Sequence, residues 1–171
     1  MLKTPAEIGT RAWYWLFLIV LGLLLEGVAL FYQYVLDYGP CVLCIHARIW
    51  VLGFILAAVL GLVARKSTVL RIVSHALSAG MAAGLLERSW KALGVERGTV
   101  EGSCSMDSGL PYWFALDEWF PVLFKVWEPC GYTPELMFGI SIAQTLVVIS
   151  VGMLLLGLAM TISAVVGRRH A

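Results

Sequence analysis

Residues 38–64 read YGPCVLCIHARIWVLGFILAAVLGLVA. Two cysteines stand three apart, and the chain then stays largely apolar as far as Ala64. In a water-soluble chain a C-x-x-C signals a thioredoxin-like redox site or half of a zinc site. Here it opens a segment long enough to cross a bilayer, which takes about 20 mostly apolar residues. A reactive-looking pair at the mouth of a membrane helix, with Arg48 one turn beyond Cys44, sets the question for the whole chain.

Three more stretches have the length and composition of a span. Trp13–Val35 is broken only by Glu26, and Val69–Leu86 is weaker because it carries Arg71, His75 and several small residues. Leu136–Val166 exceeds what a span requires, so it tilts or emerges from the membrane. The 171 residues amount to one domain, 60% hydrophobic and only 13% charged, against about 45–50% apolar in a soluble domain. Mean hydropathy is +0.87. A cleaved signal peptide fits Trp13–Val35 poorly, because its apolar core exceeds the usual ~7–15 residues and a second span follows at once. The net charge of +1 gives no reason to expect nucleic-acid binding.

The expected architecture is an all-α membrane protein, a four-transmembrane-helix bundle in one domain over 1–171. Its spans are 13–35, 41–64, 69–93 (with an outer extension) and 135–166. Lysine and arginine set the orientation. Lys3, Arg11, Arg65, Lys66, Arg71, Arg168 and Arg169 all fall in or beside segments 1–12, 65–68 and 167–171, which should be cytoplasmic. The opposite side then has the turn 36–40 and the long loop 94–134, where Arg97 and Lys125 face six acids. The first half of that loop is rich in Gly, Ser and acids and reads as flexible. The second, YWFALDEWFPVLFKVWEP, is too short and charged to span and too aromatic to be idle. It fits a short amphipathic helix at the membrane interface; a small subdomain outside the membrane is the alternative.

All four cysteines, Cys41, Cys44, Cys104 and Cys130, fall on that outer side, where disulfides persist. Of three possible pairings, local spacing favours Cys41–Cys44 and Cys104–Cys130. A structural role competes seriously for the second pair, since closing such a loop stabilises by roughly 3–4 kcal/mol in the chain-entropy model. It competes poorly for the first, because a bridge over two residues constrains little chain and is often labile. A four-cysteine zinc site lacks a second C-x-x-C. Pro40 suits the first helical position, which would put Cys41 and Cys44 in or near the first turn. There the unpaired amides and the helix dipole favour thiolate.

Arg48 shares a helix face with Cys44 at i+4, whereas His46 projects to the other side. An arginine so near the hydrocarbon is costly unless it meets an anion or polar ligand. Either it snorkels to the headgroups, or it stabilises negative charge beside Cys44 and on a membrane-soluble carbonyl acceptor such as a quinone. Glu26 is a mid-span acid with a functional or a hydrogen-bonded structural role. Gly80 and Gly84 read as a small-x-x-x-small helix contact. Glu87 and Arg88 read as interfacial, and His75 as far from the cysteines.

With PCVLCIHAR at the head of the second span, a cysteine pair in the outer loop, the aromatic LDEWFPVLF and FGISIAQ in the fourth span, the chain resembles the bacterial disulfide bond formation protein B (DsbB) family. These are quinone-dependent thiol oxidases, and the likeness covers nearly the whole sequence. It implies a four-helix bundle in the bacterial inner membrane that binds ubiquinone (menaquinone under anaerobic conditions) and reoxidises a periplasmic thioredoxin-fold oxidase of the DsbA type. It also implies that Cys104–Cys130 exchanges with the partner, that Cys41–Cys44 reduces the quinone, and that Arg48 is the quinone-site arginine. Two positions depart from the better-studied members: Ala47 stands where they carry an acid, and Lys91 lies near the place of a span-three histidine. Two other readings compete. One is a quinone-coupled thiol enzyme of the vitamin K epoxide reductase type, whose C-x-x-C opens a late span rather than the second. The other is a non-enzymatic membrane protein braced by structural disulfides.

Overall fold

The computed structural model describes residues 5–101, 106–131, 135–137 and 139–169. Four long helices dominate it: α2 (Ala12–Tyr34), α3 (Val42–Ala64), α4 (Thr68–Glu96) and α7 (Ile142–Arg169). Each is long and apolar enough to cross a membrane. The one-turn α1 (Pro5–Ile8) precedes them and packs against α7. Between α4 and α7 lie a 3-10 turn (Tyr112–Phe114), α5 (Leu116–Trp119), α6 (Pro121–Phe124) and strands β1 (Glu135–Met137) and β2 (Ile140–Ser141).

The bundle packs in the order α2, α3, α4, α7. Trp15 and Leu18 of α2, Val51, Phe54 and Ala58 of α3, Ala82 and Leu85 of α4, and Met153 and Met160 of α7 meet in one core. Glycines make room for the large rings: Gly61 faces Trp15 and Gly84 faces Trp50, so closely that a Cβ at either position would overlap the indole. Gly80, expected to share that role, has open space where a Cβ would stand. The single Trp50 ring fills one notch, so only Gly84 of the pair is a contact glycine.

The outside of the bundle is as apolar as the inside. Leu24, Val63, Val148, Leu155 and Ile162 are all exposed, and helices that are apolar all round belong in a membrane. The protein is therefore a multi-pass membrane protein. Buried serines follow the rule that polar groups away from water find internal partners. The hydroxyls of Ser74, Ser78 and Ser89 each donate to the carbonyl four residues back.

The fourth span departs from the reading of 135–166. Glu135–Met137 and Ile140–Ser141 pair as antiparallel strands, and the helix begins only at Ile142. Gly139 turns the hairpin with φ +76°, a conformation open to glycine. Ser141 then acts as the N-cap, its Oγ accepting from Gln144 N at 3.2 Å. The aromatic loop also differs in detail from one short helix. Pro121 opens α6 and pushes Phe120 out of helical geometry (φ −133°, ψ 65°), so three short pieces replace it. Their amphipathicity survives: Tyr112 is 91% exposed, with Trp113, Trp119, Phe120 and Val122 also outward, while Phe124 and Val126 turn in.

Candidate functional site

The helix bearing the C-x-x-C begins one residue later than the sequence reading. Cys41 is the N-cap of α3, with extended φ −84° and ψ 172°, so Pro40 precedes the helix rather than opening it. The first helical bond runs from Ile45 N to Cys41 O at 3.0 Å. Cys44 is the third helical residue, and its Sγ lies 3.1 Å from Cys41 Sγ, both thiols free. Pro40 still has a use: its carbonyl accepts from Trp127 N at 3.0 Å and ties the returning loop to the head of α3.

That tie brings in the third sulfur. Cys130 packs on Val42, Ile45, Phe124 and Val126, and lines one small space together with Cys41 and Cys44. The Cys41 side chain first, and burial second, push the Cys130 thiol above the ordinary cysteine range. Cys41 thus has both Cys44 and Cys130 as neighbours. Cys104 and its expected pairing with Cys130 lie outside the described residues.

Arg48 does not snorkel. It is 6% exposed and points into the bundle. One Nη donates to Gln33 Oε1 at 2.6 Å and to Leu123 O at 2.7 Å; the other donates to Ala29 O at 3.2 Å. The guanidinium therefore clamps α2 and the aromatic loop to α3, and Gln33 and Tyr34 reinforce the clamp by donating to Val122 O. Its Nε stays buried without a hydrogen-bond partner among the described residues, as does Glu26 Oε1. Sequence reading missed Gln33, although Glu26 and Gln33 stand at i and i+7 on one face of α2, a pattern that could have paired them.

A cavity of about 340 Å³ opens between α2, α3 and the start of α7. Cys41 and Cys44 form one end, Arg48 and Glu26 bring charge, and Val51, Leu146 and other apolar side chains supply most of the rest. That size and lining suit a small, largely apolar ligand held by a few polar groups. A flat ring with carbonyl oxygens fits: the apolar walls suit its faces, and the spare Nε of Arg48 suits an oxygen. Arg48 also acts electrostatically on Cys44. A quinone is therefore compatible with the residues present, with Arg48, Cys44 and Glu26 the groups that would hold it.

Other candidates lie elsewhere. His46 turns away from the cavity, its Nε2 2.8 Å from Ser108 O in the loop. Lys91 and Glu87 form an exposed ion pair and do not line the cavity, so Lys91 does not stand in for a site residue there. Arg88, read as interfacial, pairs with Glu87 and borders a second space of about 40 Å³ that the three cysteines also line. His75 sits in the core, stacked on Trp15 at 4.6 Å between ring centres.

Comparison with known proteins places the chain in a family. Residues 11–160 match the family model described as disulfide bond formation protein DsbB. Disulfide bond formation protein B of Shewanella loihica is 35% identical over 135 residues, 78% of this chain and 79% of its own. The protein of that name from Histophilus somni is 32% identical over 136 residues, covering 79% and 77% of the two chains. That of Photorhabdus laumondii is 30% identical over 156 residues, covering 91% and 92%.

Proposed function

The chain belongs to the disulfide bond formation protein B family of membrane oxidoreductases, and from that footing we propose that it is a thiol:quinone oxidoreductase of the bacterial inner membrane. It reoxidises a periplasmic thioredoxin-fold oxidase of the DsbA type, with Cys104, Cys130, Cys41 and Cys44 as its redox residues and Arg48 at the quinone. Ubiquinone is the acceptor, menaquinone under anaerobic conditions. Both termini and the Arg65–Lys66 turn face the cytoplasm, a reading that the basic-residue asymmetry supports.

The observation that carries this reading is the meeting of three sulfurs beside a cavity: Cys130 and Cys41 lining one small space, Cys41 3.1 Å from Cys44, and Cys44 lining the wall of the larger cavity with Arg48. A partner thiolate attacks the Cys104–Cys130 disulfide and releases Cys130. The Cys130 thiolate attacks Cys41 Sγ of the Cys41–Cys44 disulfide; the Cys41–Cys130 bond forms and Cys44 leaves as thiolate. The partner's second thiol closes the partner disulfide and releases Cys104, whose thiolate attacks Cys130 of the Cys41–Cys130 bond; Cys104–Cys130 re-forms and Cys41 leaves reduced beside Cys44. Arg48 lowers the cost of charge on Cys44 and orients the acceptor oxygen through Nε. A bound quinone supplies a sink for two electrons and two protons.

The test is purified protein in lipid nanodiscs with a reduced thioredoxin-fold oxidase and short-chain ubiquinone. One quinone should be reduced for each partner disulfide formed, and Cys41→Ser or Cys44→Ser should stop both. Partner oxidation that consumes no quinone would refute the reading. Orientation has its own check: a variant keeping Cys104 alone should react with impermeant thiol reagents in intact spheroplasts, and labelling only after lysis would reverse the topology.

A further inference from the structure

Resting on that reading, we propose that Glu26 is the proton-exchanging residue of the acceptor cavity. Two buried polar atoms in its wall lack hydrogen-bond partners among the described residues, Arg48 Nε and Glu26 Oε1. They come from facing helices, and the two side chains are coupled electrostatically. A guanidinium orients an oxygen but does not give up its proton. A carboxyl does both, and an intramembrane acid facing a cavity is where proton transfer is expected.

The other titratable groups facing this cavity come from other positions. Cys41 and Cys44 are the electron donors, Tyr32 lies further along α2, and Tyr38 and Glu128 border the space from outside the long helices. The start of α7 contributes Ile142, Thr145 and Leu146, none of which titrates. Among the described residues, Glu26 is the one acid that a membrane helix brings to the wall.

Protons and electrons balance through it. Oxidation of the Cys41/Cys44 dithiol forms one S–S bond and yields two electrons and two protons, and the quinone receives both pairs to become the hydroquinone. Glu26 gives one proton to the acceptor oxygen that Arg48 orients. It regains one of the two released by the thiols and ends unchanged.

Glu26→Gln keeps the size and hydrogen bonding of the side chain and removes its proton exchange; Glu26→Asp keeps the exchange on a shorter arm. Infrared difference spectra recorded as short-chain ubiquinone binds to the oxidised, full-length protein should contain a carboxyl band that disappears in Glu26→Gln. In single-turnover mixing of the reduced protein with that quinone, Glu26→Gln should bind it but reduce it about a hundredfold more slowly, as loss of a general acid does. Glu26→Asp should recover much of the rate. A Glu26→Gln protein that keeps the normal rate and pH profile overturns the assignment, as does binding to the wild type with no carboxyl signal. Wild-type protein that binds no quinone at all removes the reading on which the assignment rests.

Discussion

Arg48 and His75 are both buried ionisable side chains in the same bundle, yet they are held in different ways. Arg48 donates to three oxygens on two other segments, keeps Nε free and lines a cavity. His75 is 1% exposed, has neither ring nitrogen hydrogen-bonded among the described residues, and is packed between Trp15, Tyr14 and the backbone of Gly9. A polar group kept in a membrane with spare bonding capacity beside empty space is equipped to meet a ligand. One enclosed by aromatic rings is part of the packing, which here joins the N-terminal segment to α4, aided by Trp15 Nε1 donating to Gly9 O at 2.9 Å.

The comparison breaks first at the sulfur end. Cys44→Ser should abolish quinone reduction while the four helices stay intact by circular dichroism; residual turnover above background would move the donor elsewhere. Arg48→Met comes next. It removes one charge-assisted bond to the acceptor oxygen, worth roughly 1.5–3 kcal/mol, so kcat/KM for quinone should fall by about one to two orders of magnitude. It also leaves Leu123 O and Gln33 Oε1 without their donor, so the loop should become more open to protease. Arg48→Lys should restore part of the rate, since it keeps the charge but loses the planar fork.

At the other end the effect should fall on stability alone. Trp15→Ala empties the space between Gly61 and His75 and should cost about 3–5 kcal/mol, read as a lower unfolding midpoint in mild detergent with the KM for quinone unchanged. A shifted KM would show that the two ends are coupled.

A pH series sharpens the account from the loop side. Because the Cys130 thiol is held above its usual range, its thiolate fraction at neutral pH is small and grows as pH rises toward the raised value. Alkylation of Cys130 in the reduced protein should speed up about tenfold per pH unit through the mildly alkaline range. A plateau already reached near neutrality would mean that its place beside Cys41 does not hold the proton. The smallest effect belongs to His46→Ala. That residue touches the loop at Ser108 and not the cavity, so quinone kinetics should change far less than with Arg48→Met.

Most of this was open to reading in the sequence where the signal is local. Four apolar runs gave four helices, and i+4 spacing put Arg48 on the Cys44 face with His46 turned away. What spacing could not give was set by contacts between distant segments. Arg48 looked free to snorkel because its acceptors, Gln33 and the Leu123 carbonyl, lie on α2 and in the loop. Cys130 sits on Cys41 only because Trp127 is tied to Pro40. Lys91 lies near the place of the family's span-three histidine, but Glu87 one turn earlier holds it at the surface. The start of the fourth helix was misjudged because an apolar stretch hides a glycine turn, and Ser141 with Gln144 three residues on was the capping signal that would have found it.

The contact between Cys130 and Cys41 is the hinge of the electron path, and it can be trapped. In a Cys44→Ser/Cys104→Ser protein, mild oxidation should join Cys41 to Cys130, identified by mass spectrometry of the linked peptides, rapidly and independently of protein concentration. If Cys130 instead remains a free thiol, or links only between molecules, the loop cysteine does not hand electrons to the C-x-x-C and the proposed path is wrong.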